Sequence, residues 1–457
     1  MVIPLLLALA ASPDLIPARW NWTDPSSLDL VKGTPVNCLL IPWDDARAGG
    51  IRNLAASAAQ QRIHTLAVLT PDADARAAAR KAVEAKLDGI VLEGDFSADT
   101  AKHIRETLQT LVVEITPRAK MKLGGPDRIL GTDQAVWPGI QVTEDGAAHA
   151  GPTGGPWIDT NSGFLRSAYA WGDATIWLAN RPPPKTVVTT ERYLQVISDA
   201  AMAGARWVIA LDPELEASLA ARKPKAVATW QRMVDHLKFL ESHKEWRSLR
   251  PAGQLAVVQD VDAGALLSGG IVDMIAVKHT PVRPVPRSKL NAGAFEGVTM
   301  AVNTDPAGLT DEQKQALRAF TRGGGTLLTA PAGWKSETPP KSGQITLEKQ
   351  EIERLDAIWK EVNSMIGRRN LGARLFNVST MLSNLLTTAD GKQSIVHLVN
   401  YSDYPVEWVT AHFPGKYKRA RLFTPEGGEA EIKTYDTEEG TGVDIPKVFV
   451  WATLQLD

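Results

Sequence analysis

Between residues 36 and 211 short apolar runs alternate with stretches of helical character. Residues 36–43 (VNCLLIPW), 64–69 (HTLAVL), 89–92 (GIVL), 110–116 (TLVVEIT), 128–131, the surroundings of 157–158, 175–178 and 206–211 read as strands. Residues 75–86 (ARAAARKAVEAK), 100–108 and 190–203 read as helices between them. Apolar runs without polar alternation imply strands covered on both faces, as in a parallel sheet wrapped by helices. About eight strands in about 200 residues predict a closed (β/α)8 TIM barrel rather than an open doubly wound sheet. No G-x-G-x-x-G follows the first strand, which removes the main support for a dinucleotide fold.

The pattern changes at Arg250-Pro251-Ala252-Gly253. A second α/β unit follows, with strands at 254–259, 271–279, 297–303 and 326–330. Its helix at 310–321 starts on a Thr cap and ends at three glycines. A helix over 348–366 carries Ile352, Leu355, Ile358, Trp359, Val362 and Met365 at helical spacing and is expected to pack across a domain junction. Strands at 395–400, 406–411, 419–424, 431–435 and 448–455, separated by Gly-containing turns, then predict an antiparallel β-sandwich. The domains read as a leader over 1–19, a barrel over 20–250, an α/β domain over 251–346, a linking helix over 347–370 and a sandwich over 371–457.

Composition narrows the chemistry. Lys and Arg number 50 against 52 Asp and Glu, so the chain has no field to draw in nucleic acid. With Cys38 as the single cysteine, no disulfide can close within the chain and no Cys-based zinc site can form. There is no H-E-x-x-H and no G-x-S-x-G, so neither metal nor serine-hydrolase chemistry is expected, and no cofactor. Residues 1–12 (MVIPLLLALAAS) resemble the apolar core and small-residue end of a signal peptide, although they lack the Lys or Arg normally found in the n-region. Export to the periplasm or outside the cell is the expectation, and no later stretch is long enough to span a membrane. The 14 tryptophans suit stacking on sugar rings, and equally a Trp-rich core.

Barrel chemistry sits at the carboxyl ends of the strands. Those ends offer Trp43, Asp44, Glu93, Asp95, Glu114, Arg118, Asp133, Gln134, Trp137, Trp157, Asp159, Asn161, Asn180 and Asp212. Carboxylates, tryptophans and amides on one rim are what glycoside hydrolysis needs: an acid, a nucleophile or base, platforms and hydroxyl binders. Glu93, Glu114 and Asp159 are the catalytic candidates. Trp43, Asp44, Asp95, Arg118, Trp137, Trp157, Asn161, Asn180 and Asp212 are the substrate-binding ones. Each has a competing reading. Strand-end carboxylates cap helices; Glu114 reads also as an inward barrel residue paired with Arg118, Asp159 as a cap, and Asp212 as a turn residue before Pro213. His149 is a lone loop histidine.

Residues 309–313 (LTDEQ), 316–320 (ALRAF) and 322–327 (RGGGTL) resemble the class I glutamine-amidotransferase-like domain that follows the barrel in family 42 β-galactosidases. The match covers 251–333 and implies a flavodoxin/amidotransferase-like fold. Without a cysteine thiolate the segment cannot hydrolyse an amide, and the implied role is packing or homo-oligomer contacts. Residues 396–401 (VHLVNY) and 422–427 (LFTPEG) resemble the small β-domains that end many barrel glycosidases. The plan therefore resembles multi-domain TIM-barrel glycoside hydrolases over nearly the whole chain. Family 42 places its catalytic glutamates on the fourth and seventh strands, with Asn before the first. Here no Asn precedes Glu114, and the seventh strand ends Ala179-Asn180. Two readings stand: two-carboxylate cleavage of an oligo- or polysaccharide, or a non-catalytic glycan-binding or scaffold protein on a degenerate barrel. A phosphorylated substrate is disfavoured, because Arg181 is followed by three prolines where a Gly-rich phosphate loop would lie.

Overall fold

The structure is a computed structural model that describes residues 14–72, 74–142, 148–150, 160–183, 186, 188–259, 272, 279–304, 306–330, 349–367, 372–388 and 390–457. Eight parallel strands form the N-terminal sheet in chain order: β1 Pro17–Arg19, β2 Cys38–Pro42, β3 His64–Leu69, β4 Gly89–Glu93, β5 Leu111–Thr116, β6 Ile129–Thr132, β7 Thr175–Leu178 and β8 Arg206–Trp207. The sheet closes on itself. Ala18 bridges Ile209, the Arg19 N–H donates to the Ile209 carbonyl at 2.7 Å, and the Ile209 N–H to that of Pro17 at 3.0 Å. Closure removes the exposed edges that an open sheet would leave.

Alternation along the strands explains the unbroken apolar runs. Leu40, Leu66, Val68, Val91, Val113, Ile115, Trp177 and Val208 fill the interior, with no helical residue among them. Leu39, Ile41, Ala67, Leu69, Ile90 and Leu92 face outward and share one core with the helices. Cys38 lies inside the barrel, where burial pushes its thiol far up and leaves it inert. The helices are α1 Ala48–Gln60, α2 Ala75–Glu84, α3 Ala98–Leu108, α4 Ser162–Tyr169, α5 Thr190–Ala201, α6 Pro213–Ala220 and α7 Pro224–Ser242.

Two strands differ from the sequence reading. β1 lies within residues 1–19, the span assigned to a leader, so the barrel begins by Pro17 rather than at residue 20. Its three residues show no β pattern; pairing with β2 on one side and Ile209 on the other makes the strand. The strand expected near 157–158 lies outside the described residues, and β6 pairs directly with β7 from Ile129↔Thr175 to Thr132↔Leu178. The total stays eight, but Glu93 now ends the fourth strand and Glu114 lies in the fifth.

The middle domain is a four-stranded parallel sheet of β9 Leu255–Gln259, β10 Val282–Pro286, β11 Met300–Asn303 and β12 Thr326–Thr329, in spatial order β10-β9-β11-β12. Helix α8, Asp311–Arg322, opens with a reciprocal capping box. Thr310 Oγ1 accepts from the Gln313 N–H at 3.3 Å, and Gln313 Oε1 from that of Thr310 at 2.9 Å. Most of the strand expected at 271–279 lies outside the described residues. On the amphipathic helix α9, Lys349–Ile366, Ile358, Val362 and Ile366 join Leu255, Val257, Met300 and Val302 in the core of this sheet.

The C-terminal part is an antiparallel β-sandwich. One sheet orders Arg250–Pro251, Met381–Thr387, Ser394–Asn400, Trp451–Leu456, Ala420–Thr424 and Gly428–Ile432; the other orders Arg374–Phe376, Val406–Pro414, Gly440–Val448 and Thr434–Asp436. Val396, Leu398 and Leu454 from the first meet Val409, Phe413 and Ile445 from the second. Leu382, Val399, Tyr401 and Trp451 belong instead to the barrel's outer core, so sandwich and barrel share one apolar interior. Among the described residues no helix is long and apolar enough to cross a membrane.

Candidate functional site

Residues that continue the inward alternation past the strand ends stand in the barrel mouth. Glu93 follows Val91 on that register at the end of β4, and Arg19 ends β1. The two form a bidentate ion pair: Arg19 Nη1 donates to Glu93 Oε2 at 2.9 Å and Nη2 to Oε1. Their side chains are 7% and 16% exposed, so water screens the pair weakly. Burial alone would raise the Glu93 carboxyl, but the Arg19 hydrogen bonds and charge, helped by Arg181, hold it below the usual carboxylate range. Gly94 follows with φ +110°, donating to the Ile115 carbonyl at 2.8 Å, and a β-carbon there would stand 3.2 Å from Pro71 Cδ. Only glycine takes that turn without strain.

Asp133 stands one residue past β6, on the register of Ile129 and Gly131. Burial raises its carboxyl, and the negative charges of Glu93 and Asp95 push further in that direction against Arg19. Its Oδ1 is buried with no hydrogen-bond partner among the described residues. The mouth therefore holds one carboxyl biased to stay ionised and one biased to keep its proton. Sequence reading put Asp133 on the rim without a role; its even spacing from Ile129 was the available signal. Trp22, half-buried just past β1 and edge-on to Trp20 at 4.7 Å, was missed together with that strand.

The other candidates are placed differently. Glu114 points outward, because its neighbours Val113 and Ile115 fill the interior. It meets Arg105 of α3 at 2.9 Å and Lys122 at 3.4 Å, and is not paired with Arg118. It does not join Glu93. Asp95 is exposed and paired with Lys120. Asp44 accepts from the Ala46 N–H at 2.9 Å and caps a turn. Trp43 is half-buried, its indole N–H donating to Asp45 Oδ1 at 3.0 Å. Trp137 is 4% exposed and packs edge-on against Tyr193 and Trp207, which makes it core rather than platform. Asp212 accepts from the N–H groups of Glu214 and Leu215 at 3.0 Å and from the Tyr193 hydroxyl at 2.8 Å, so it caps α6. Trp157 and Asp159 lie outside the described residues.

Arg118, Asn161 and Asn180, expected on substrate, hold the loop that carries Asp133. Asn161 Oδ1 accepts from the Val136 N–H at 2.7 Å, and its Nδ2 donates to the Val136 carbonyl at 3.0 Å. Asn180 Nδ2 donates to the Ala135 carbonyl at 2.7 Å, and the Arg118 N–H to Gln134 Oε1 at 2.8 Å. The Arg118 guanidinium donates to Asn161 Oδ1 at 2.9 Å and lies over the Phe164 ring at 4.1 Å. Backbone amides and carbonyls in a buried loop need such partners. Among the described residues no three His, Cys, Asp or Glu side chains gather as a metal would require.

No family model matches the sequence, and no curated protein matches it in sequence. In structure the chain is similar to alpha-L-fucosidase isoenzyme 2 from Paenibacillus thiaminolyticus, with TM-score 0.63 and 10% identity over 97% of this chain and 99% of that one. It also aligns with a catalytic mutant of a GH42 beta-galactosidase from G. stearothermophilus, with TM-score 0.35 and 11% identity over 90% of this chain and 67% of that one, a likeness too loose to bear on the fold. The first likeness runs through barrel, middle domain and sandwich alike. The chain has the multi-domain TIM-barrel plan of a glycoside hydrolase of known structure.

Proposed function

We propose that the chain hydrolyses a glycosidic bond in the barrel mouth, with Asp133 as the acid and Glu93 as the ionised partner. The observation that carries this reading is the opposite bias of two carboxyl groups on one rim. Pairs of carboxyls driven apart in this way divide acid and base work between them. Asp133 protonates the leaving-group oxygen. Glu93 either attacks the anomeric carbon or draws a proton from an attacking water; carboxyl separations of about 5 Å and about 6.5–9.5 Å distinguish the two. Arg19 takes one lone pair on each Glu93 oxygen and leaves the others, so the carboxylate keeps accepting capacity. Glu93 and Asp133 thus replace the trio Glu93, Glu114 and Asp159, of which Glu114 faces away from the mouth. Trp22 and Trp43 are the half-buried indoles at the rim for stacking. An aryl-glycoside panel that includes fucosides and galactosides tests the proposal. Glu93→Gln and Asp133→Asn should each lower kcat by about 10²–10⁴-fold on whichever glycoside is cleaved; full activity in both variants overturns the assignment.

A second reading, glycan binding without turnover, is favoured by a different observation. The outer face of the four-stranded sandwich sheet carries Trp408, 66% exposed at φ +57°, and Tyr435, whose ring lies against Gly442. A β-carbon on Gly442 would fall 2.3 Å from Tyr435 Cε2, so glycine lets the ring lie against the strand. Binding with no cleavage across the panel would select this reading. Export is proposed on residues 1–12 alone and homo-oligomer contacts on the middle domain's resemblance alone; N-terminal sequencing and light scattering test them.

A further inference from the structure

Far from the mouth, where β7 and β8 begin, the three domains surround a cavity of about 1210 Å³. The barrel contributes Asp173, just before β7, and Gly204, just before β8; the middle domain contributes Arg283 and Lys289; the sandwich contributes Asn384 and Thr387. Asp173 and Gly204 precede their strands, whereas Glu93 and Asp133 end or follow theirs, so the two sites lie at opposite ends of the barrel.

The lining is cationic. Arg166, Arg247, Arg250, Arg283 and Lys289 face two carboxylates, Asp173 and Glu296. Arg247 is matched elsewhere, by Asp14 at 3.0 Å and by Glu241. Three of the remaining four donate to main-chain carbonyls: Arg166 to Ser383 at 2.7 Å, Arg283 to Glu296 at 2.7 Å, and Lys289 to Ala170 at 2.8 Å. A carbonyl satisfies an N–H but carries no net charge, so the positive charges of Arg283 and Lys289 stay in the cavity. Two of these bonds also cross a joint. Arg166 ties the barrel to the sandwich, and Lys289 ties the middle domain to the barrel. Like charges drawn from three domains around one space oppose its closure, and an anion held among them reverses that term.

We infer that this cavity binds a small ester of a tetrahedral dianion, phosphate or sulfate, and that the bound anion ties the three domains together. The volume is far larger than one oxyanion needs and suits a sugar-sized body attached to it. Thr387 and Thr388 line the same space; their hydroxyls donate to the Gln393 carbonyl and to Asp390 Oδ1, which leaves each oxygen free to accept from a hydroxyl of such a body. The inference is independent of the chemistry proposed for the mouth.

The test uses the full chain and thermal unfolding in glucose 6-phosphate, glucose 6-sulfate or inorganic phosphate, against NaCl at matched ionic strength. Ligand bound only to the folded state raises Tm, here by about 2–4 °C near saturation. Arg250→Gln with Lys289→Gln, both exposed positions, should abolish the rise, whereas Glu93→Gln should keep it. If the double variant melts early by itself, equilibrium dialysis of labelled phosphate against Arg250→Gln alone replaces the melt, with weakened binding expected. A rise with the phosphates only assigns a phosphorylated ligand, and one with the sulfate only a sulfated saccharide. No rise beyond NaCl, or binding unchanged in the variants, overturns the inference.

Discussion

The Tyr401 hydroxyl donates a 2.6 Å hydrogen bond to Asp199 Oδ1, and the other oxygen of that carboxylate accepts from Asn161 Nδ2 at 2.7 Å. Asn161 in turn grips Val136. A residue of the C-terminal sandwich thereby reaches, through one buried carboxylate, the loop that carries Asp133. Burial drives the Asp199 carboxyl upward, and the Tyr401 and Asn161 bonds oppose it. Tyr401→Phe keeps the ring and removes the donor. It should cost about 1–3 kcal/mol in urea unfolding, as for a buried acceptor losing a partner, and should lower kcat on a cleaved glycoside more than it changes KM. An unchanged midpoint would show that the bond contributes nothing.

Arg19→Met leaves the Glu93 carboxylate in place without its cation. Removing one partner of a buried ion pair costs about 3–5 kcal/mol, and the slight exposure of Glu93 puts the expectation near the lower end. Adding Glu93→Gln to that variant should restore much of the loss, since no charge is then stranded. A double-mutant cycle by denaturant unfolding measures the coupling, and strictly additive losses would rule it out.

Asp133→Asn should make the protein more stable at neutral pH and less active. The folded-state pKa of Asp133 is raised by burial and by Glu93. The stability tied to its proton is complete below the ordinary value of 3.8 and is lost as pH rises through the raised one. Asparagine mimics the protonated form and avoids that loss, so the Tm advantage should be present at pH 7 and shrink toward pH 3.8 and below. Glu93 runs the other way: its stabilisation is present above 4.5 and is lost as pH falls through its depressed value. The Tm of Glu93→Gln should therefore converge on the parent's in acid.

Gly94→Ala forces a β-carbon onto a residue at φ +110° and against Pro71. The expected cost is about 1–3 kcal/mol by thermal unfolding, with a loss of activity out of proportion because Glu93 is displaced.

Trp408→Ala should leave stability within about 0.5 kcal/mol, since the indole is 66% exposed. If the sandwich face holds glycans, retardation in polysaccharide-containing native gels should disappear with it; equal mobility shifts in parent and variant would exclude Trp408 from binding.

Much of the barrel was legible because its strands are covered on both faces, so segments such as 64–69 stay apolar throughout. β1 was not. Its Pro-Ala-Arg becomes a strand only through two partners, one of them at Ile209. Missing it shifted the strand count by one and hid that Glu93 ends the fourth strand. The capping of α8 was visible in Thr310 and the polar residues of the first turn, although Gln313 rather than Glu312 completes the box. The amphipathic stripe of α9 was equally visible, but a stripe does not name the surface that it covers. Asn161 shows the deeper limit. An amide beside a barrel mouth suits a sugar hydroxyl or a backbone loop, and the choice was made by Asp199 and Tyr401, far away in sequence.

The closing of the barrel by Ala18 and Ile209 also sets an order of events during synthesis. The first strand of the barrel is flanked by β2 and by a segment that emerges last of the barrel, so the sheet cannot be sealed until the chain has grown past residue 209. Until then both rims of a growing parallel sheet stay unpaired, in a topology whose long sequence separations already slow folding. A nascent chain of this kind would gain from a binder that shields it over that interval.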